Sequence, residues 1–134
     1  MIEYRTSLEG ITPDLLEGFF AGWPTPPSVE VHLQLLRHSA HVVLAVEGVR
    51  VVGFVNALSD GVMAAYIPLL EVLAEYRGQG IGTGLMHRML ELLQGMYMID
   101  VVCDEAVVPF YRRFGMLRLN AMVLRNHAHP AAAG

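Results

Sequence analysis

Residues 71 to 93 read EVLAEYRGQGIGTGLMHRMLELL, an apolar lead that runs into Gly78, Gly80, Gly82 and Gly84 and then into an apolar helical repeat. No other stretch restricts the fold so strongly. A strand that passes through a compact glycine turn into a helix is the first half of a right-handed crossover, and the strand after the helix should lie parallel to the one before it. Ligands of open α/β sheets bind where such a helix starts, beside the carboxyl end of the strand. The glycines remove side chains from that turn, so the amides of Gln79, Gly80, Ile81, Gly82 and Thr83 can converge on an anion, with the helix dipole adding partial positive charge. Glycine used for turn geometry alone is the plainer alternative. Two phosphate-binding patterns are excluded: G-x-G-x-x-G fails because Thr83 or Leu85 stands at the third glycine, and the P-loop needs a lysine that the chain lacks.

Around this crossover the chain divides into short elements. MIEYRT reads as a first strand. EGITPDLLEGFF reads as a helix capped by Thr12 with Pro13 at its first position. Three prolines break GWPTPP, and SVEVHLQLLRHS follows as a helix capped by Ser28, with Val31, Leu35 and Leu36 on one stripe. HVVLAVEG and RVVGFVNALS form a hairpin pattern. GVMAAYIPLLEVLAE is the next strand. A helix over 82–94 should anchor through Leu85, Met89, Leu92 and Leu93 and close at Gly95; a parallel strand over 96–103 follows. AVVPFYRRFG reads as a short helix ended by Gly115, and LRLNAMVLRN as a last strand or hairpin. The fold class is therefore α/β, a mixed and mostly antiparallel sheet with one strand–helix–strand crossover, flanked by helices. One domain over 1–126 and a disordered tail over 127–134 complete the expectation.

Composition narrows the partners. The formal net charge is −4, and all nine cations are arginine, with no basic stripe to follow a phosphate backbone, so nucleic acid is not expected. No stretch approaches the ~20 apolar residues of a membrane span. The lone cysteine, Cys103, and the lack of a signal-like opening point to a reducing cytoplasm. There is no H-E-x-x-H, C-x-x-C or close His/carboxylate spacing, so no metal is implied.

Arg77-Gly78-Gln79-Gly80-Ile81-Gly82 matches [QR]-x-x-G-x-[GA], and its surroundings, VLAEYRGQGIGT, resemble the strand-turn-helix of the GNAT superfamily of acyl-CoA-dependent N-acyltransferases. PFYRRFGM, residues 109–116, resembles the C-terminal motif of the same family. The resemblance covers residues 50 to 117 and implies a GNAT-like fold, acetyl-CoA as cosubstrate and a primary amine, small-molecule or peptide, as acceptor. It also implies that Arg77, Gly78, Gln79, Gly80, Ile81, Gly82 and Thr83 hold the CoA pyrophosphate. The strand at about 70–74, with Val72 and Leu73, would pair with the pantetheine arm, and Tyr111 would lie near the thioester sulfur. Two departures stand out: Ala74 replaces a common proline, and the short segment after Gly115 should curtail the last strands. The family contains non-catalytic members, so an acyl-CoA-binding or sensing module is the alternative to an N-acetyltransferase. Self-association into a homodimer is left open.

Aminolysis of a thioester needs a group that accepts the ammonium proton and gains from one that supplies a proton to the thiolate. Tyr111 can serve the second need; otherwise it is a core tyrosine. Glu71 interrupts an apolar strand between Leu69 and Leu73, where desolvation would raise its pKa, and is the first candidate base. Asp100, which interrupts YMIDVV on the neighbouring strand, is the second. Each could instead be a solvent-facing or arginine-paired carboxylate. Cys103 as an acyl relay is weighed against a buried inert thiol. The six histidines read as structural or solvated. Phe19, Phe20 and Trp23, with Glu17 and Glu30, form either an acceptor wall or plain core.

Overall fold

The computed structural model describes residues 1–130, so the last four residues of the expected tail lie outside the described residues. Five strands form one sheet in the order β1-β2-β3-β4-β5. They are β1 (Ile2–Arg5), β2 (His41–Glu47), β3 (Arg50–Ser59), β4 (Ala64–Val72) and β5 (Met98–Asp100). The first four pair antiparallel, and β5 joins β4 in parallel through the crossover helix. The expected mixed α/β sheet with one parallel pair is thus observed. The helices are α1 (Val29–Arg37), α2 (Ile81–Leu92) and α3 (Val108–Arg112).

Two neighbouring residues of β3 show how the layers are arranged. Phe54 packs edge-on against Phe19 and His32, whose ring centroids lie 5.1 and 4.4 Å away. A Cβ on Gly53 would instead meet Leu85 at 3.1 Å and Ile81 at 3.3 Å. Successive strand residues point to opposite faces, so α1 with the 13–20 segment covers one face and α2 covers the other. Gly53 is what allows α2 to seat so closely. On the α2 side Ile81, Leu85, Met86, Met89 and Leu93 are buried, each side chain contributing about 1.5–3 kcal/mol. Leu92, expected among these anchors, is exposed, and the helix stops before Gly95 without a left-handed glycine cap.

Other local expectations shift for physical reasons. Ser28 caps α1 by accepting the Val31 N–H at 3.1 Å, but the buried face is His32, Leu33 and Leu36 rather than a stripe through Val31 and Leu35. The segment after Thr12 forms only a single 3₁₀ turn, Pro13–Leu16. Thr12 Oγ1 donates to Asp14 rather than capping a backbone amide, and Gly18 (φ 98°) and Phe20 (φ 65°) turn the chain before a helix can propagate. Strand β5 has three residues instead of the eight expected over 96–103, and no strand forms in 117–125.

A β-bulge sets the shape of the sheet at the site. Asn56 pairs with Leu69 and Leu58 with Tyr66, so Ile67 and Pro68 together face Ala57. Pro68 carries no N–H and is accommodated in a strand at such a bulge. Pairing with β5 stops at Tyr66–Asp100, immediately before it. Beyond that point the two parallel strands diverge, and the β5-facing edge of Ile67–Val72 has no strand partner among the described residues.

Candidate active site

The glycine turn lies where β4 ends. After a 3₁₀ turn, Ala74–Tyr76, both Gly78 (φ 80°) and Gly80 (φ 81°) take left-handed backbone conformations, and Gly80 is the N-cap of α2. Only glycine adopts these without strain. The amides of Gln79, Gly80, Ile81, Gly82 and Thr83 donate to no backbone acceptor among the described residues. They belong to the unsatisfied first turn of a helix and to the turn leading into it, an arrangement suited to an anion.

These amides open into a pocket of about 290 Å³ that includes Val72, Tyr76, Gly82, Thr83 and Phe110. Two arginines flank it. Arg77 Nε donates to the Val72 carbonyl at 3.0 Å, which ties its guanidinium to the end of β4. Arg113 Nη2 donates to Thr83 Oγ1 at 2.9 Å while its guanidinium lies 5.1 Å from the centre of the Phe110 ring. Arg113 was not singled out in the sequence, although it sits two residues beyond Tyr111 in the PFYRRFGM motif. A cation at that spacing on the helix facing the glycine turn is the signal that could have found it.

Glu71 lies on β4 one step before the turn, opposite Phe54 on β3. Its half-buried carboxylate receives the Phe20 amide at 2.8 Å on Oε2 and 3.1 Å on Oε1. Burial raises its pKa above the usual carboxylate range, opposed by the Phe20 hydrogen bond and the charge of Arg77. The left-handed turn at Phe20 therefore has a visible consequence: it aims a backbone amide at Glu71. No side-chain pattern reports a backbone donor, so the sequence reading could not contain it.

Tyr111 projects from α3, half-buried and edge-on to Phe110 at 5.0 Å. Burial, with a smaller effect from Cys103, pushes its pKa up to about 12. The phenol therefore stays protonated across the physiological range and has a proton to donate. Asp100 does not join Glu71. It pairs opposite Tyr66, five residues back along β4, roughly 16 Å away at ~3.3 Å per residue. Cys103 is exposed rather than buried. Phe19 and Phe20 belong to the core, leaving Trp23, which contacts Phe20 edge-on, as the exposed aromatic of that segment.

Between Glu71, the unpaired edge of β4 and α3, the structure offers an extended acceptor edge, a desolvated carboxylate, a phenolic donor and a cluster of free amides beside two arginines. Among the described residues no group of three or more His, Cys, Asp or Glu side chains is gathered as a metal site would require. No helix among them is long and apolar enough to cross a membrane.

Comparison with known proteins agrees with this geometry. The profile of the Acetyltransferase (GNAT) family matches residues 8–116. A crystal structure from Deinococcus radiodurans R1, of a protein provisionally called an acetyltransferase, shares 52% identity with a TM-score of 0.94, over 97% of this chain and 92% of that one. A GNAT family acetyltransferase from Streptococcus pneumoniae TIGR4 shares 29% identity with a TM-score of 0.75, over 95% of this chain and 99% of that one. An uncharacterized N-acetyltransferase of Porphyra purpurea is 27% identical over 103 residues, 72% of this chain, and the chain spans 59% of its length.

Proposed function

This chain belongs to the GNAT acetyltransferase family, and from that premise we propose that it transfers the acetyl group of acetyl-CoA to a primary amine by direct attack in a ternary complex. The observation that carries the reading is the conjunction of the free amides at 79–83 with the β4 edge that the Pro68 bulge leaves open. A ligand with a phosphate group at one end and an amide-bearing arm at the other fits both features at once.

In this reading the amides from Gln79 to Thr83 bind the pyrophosphate, with Arg77, Gly78 and Arg113 completing its surroundings. Beside Leu73, whose own amide and carbonyl are held by Val52 and Tyr76, the Val72 amide on the open side of β4 pairs with the pantetheine arm as an added strand would. Glu71, raised in pKa by burial and steadied by Phe20, accepts the ammonium proton directly or through a water. The amine nitrogen then bonds to the thioester carbonyl carbon. As the C–S bond breaks, its electron pair passes to sulfur and Tyr111 donates a proton there, and the phenolate regains a proton as the new amide nitrogen gives up its second one. The phenol donates more strongly as charge develops, so its contribution falls in the transition state. The products are an amide and free CoA thiol. The acceptor is a small-molecule or peptide amine, entering beside Trp23 and Glu71, and the protein works in the cytoplasm.

The test is a panel of amines, aminoglycosides, polyamines and peptide N-termini, incubated with acetyl-CoA and followed by thiol release. Turnover with at least one class is expected. Tight binding of acetyl-CoA with no turnover across the panel would replace the enzyme by a binding module.

A further inference from the structure

The glycine turn does not follow β4 directly. The 3₁₀ turn Ala74–Tyr76 lies between them and decides how residues 78–83 meet the pocket. Two backbone bonds close it, from the Tyr76 N–H to the Leu73 carbonyl at 2.9 Å and from the Arg77 N–H to the Ala74 carbonyl at 3.3 Å. Ala74 at its first position leaves φ unrestrained, and so short a turn gains little from its own hydrogen bonds.

Side chains from the tip of the β2–β3 hairpin hold it from outside. Glu47 and Arg50 are paired across the loop Gly48-Val49, in which Gly48 has φ 63°. Paired residues of an antiparallel hairpin project to the same face, and both of these reach the 3₁₀ turn. Arg50 Nη2 lies 3.8 Å from Glu75 Oε1, a contact between two exposed side chains that adds little. The other contact is closer: Tyr76 Oη donates to Glu47 Oε1 at 2.8 Å. The Tyr76 ring is partly buried against the core and borders the pocket beside Val72 and the amides of the glycine turn. Both partners register the bond, which holds the Glu47 carboxyl below its usual range and the Tyr76 phenol above its own.

We propose that Glu47 is a positioning residue for acetyl-CoA. It acts through Tyr76 to hold the 74–76 turn, and with it the amides of 79–83, in the conformation that meets the pyrophosphate. The role rests on the acetyl-CoA reading of the glycine turn and adds to it a residue on another strand that touches no ligand. A turn ordered in advance spends less of the binding energy on its own immobilisation. Proline at position 74 would supply the same order from within the backbone. The Ala74 amide donates to no backbone acceptor among the described residues, and Leu73 already has the extended conformation, φ −57° and ψ 143°, that precedes proline.

Calorimetric titration of the full chain with acetyl-CoA tests the role, with thermal melting as the control for folding. Glu47 Oε2 also lies 3.6 Å from the Met1 ammonium, so Tyr76→Phe is the variant that removes the tether alone. It should weaken binding about two- to tenfold, the range that one net hydrogen bond can supply. Glu47→Ala should match it, and the double variant should bind no more weakly than either single one, because both remove the same bond. In steady-state kinetics the loss in Glu47→Ala should appear in KM for acetyl-CoA and leave kcat nearly unchanged. Ala74→Pro in the Glu47→Ala background should restore wild-type affinity. Wild-type affinity in both single variants, additive losses in the double variant, or unrestored binding by a proline variant that melts like the wild type overturns the positioning role and leaves acetyl-CoA at the glycine turn. No heat from the wild type overturns that underlying reading, and the role of Glu47 with it.

Discussion

Replacing Tyr111 by phenylalanine removes one hydroxyl and nothing else, and the structure fixes what should follow. Burial pushes the phenol pKa up to about 12, so the hydroxyl keeps its proton throughout the physiological range. The group is thus a donor. The causes of the shift are burial and Cys103, with no hydrogen bond from another group, so the variant strands no partner. Its stability should stay within about 0.5 kcal/mol of wild type. Turnover should respond differently. A donor aimed at charge that develops in the transition state is worth about 2.7–4 kcal/mol, so kcat should fall about 100- to 1,000-fold with little change in KM for acetyl-CoA. Thermal melting and steady-state thiol release on the same preparation measure both quantities. A variant that melts lower and turns over normally would return Tyr111 to a purely structural role.

Three further outcomes follow from the site. Glu71→Gln keeps an acceptor for the Phe20 amide but cannot take a proton, so kcat/KM should drop by about two to four decades. In the wild type kcat/KM should rise as pH passes through the elevated Glu71 pKa, and that rise should vanish in the variant; superimposable profiles would remove Glu71 from the chemistry. Arg113→Gln should raise KM for acetyl-CoA about tenfold with kcat nearly unchanged, since a charge-assisted phosphate contact is worth about 1.5–3 kcal/mol and this one is exposed; an unaltered KM would show that Thr83 only holds the guanidinium in place. His32, buried with both ring nitrogens unpartnered, has its pKa lowered from 6.5 to about 4 by burial. The unfolded chain binds this proton more readily, so stability is fully present above pH 6.5 and declines by about 3 kcal/mol as pH falls to 4. Urea unfolding of wild type and His32→Leu at pH 7.5 and 4.5 should show that loss only in the wild type.

Particular residues explain what the sequence revealed and what it did not. The crossover was legible because glycines at alternate positions and a period-3.6 apolar repeat are local signals that tertiary packing rarely overrides. Ser28 was legible for the same reason, since a cap acts within its own turn. Pro68 was available but unread: a proline inside an apolar strand signals a bulge, and here the bulge marks where β4 and β5 part. The Phe20 amide was not legible, because it depends on a left-handed turn that brings together residues 51 apart in sequence. Asp100 and Glu71 both interrupt apolar runs, and that shared pattern pairs them in the sequence. Register decides such questions, and it depends on where the short β5 meets β4. The strand expected after Gly115 shows the opposite failure: the local pattern is strand-like, but no edge among the described residues pairs with it.

Acetyl-CoA binding to the glycine turn is the claim on which the rest depends. Gly80→Val is a poor probe, because φ of 81° strains any other residue there whether or not a ligand binds. Gly82 is better. Its backbone is helical, and an added Cβ would meet nothing closer than Phe110 and Val72 at 3.8 and 3.9 Å, on the side that faces the pocket. Isothermal titration with acetyl-CoA should give saturable heat in the wild type and none in Gly82→Val, with both proteins melting at similar temperatures. No heat from the wild type at millimolar acetyl-CoA, or equal binding by the valine variant, would contradict the account.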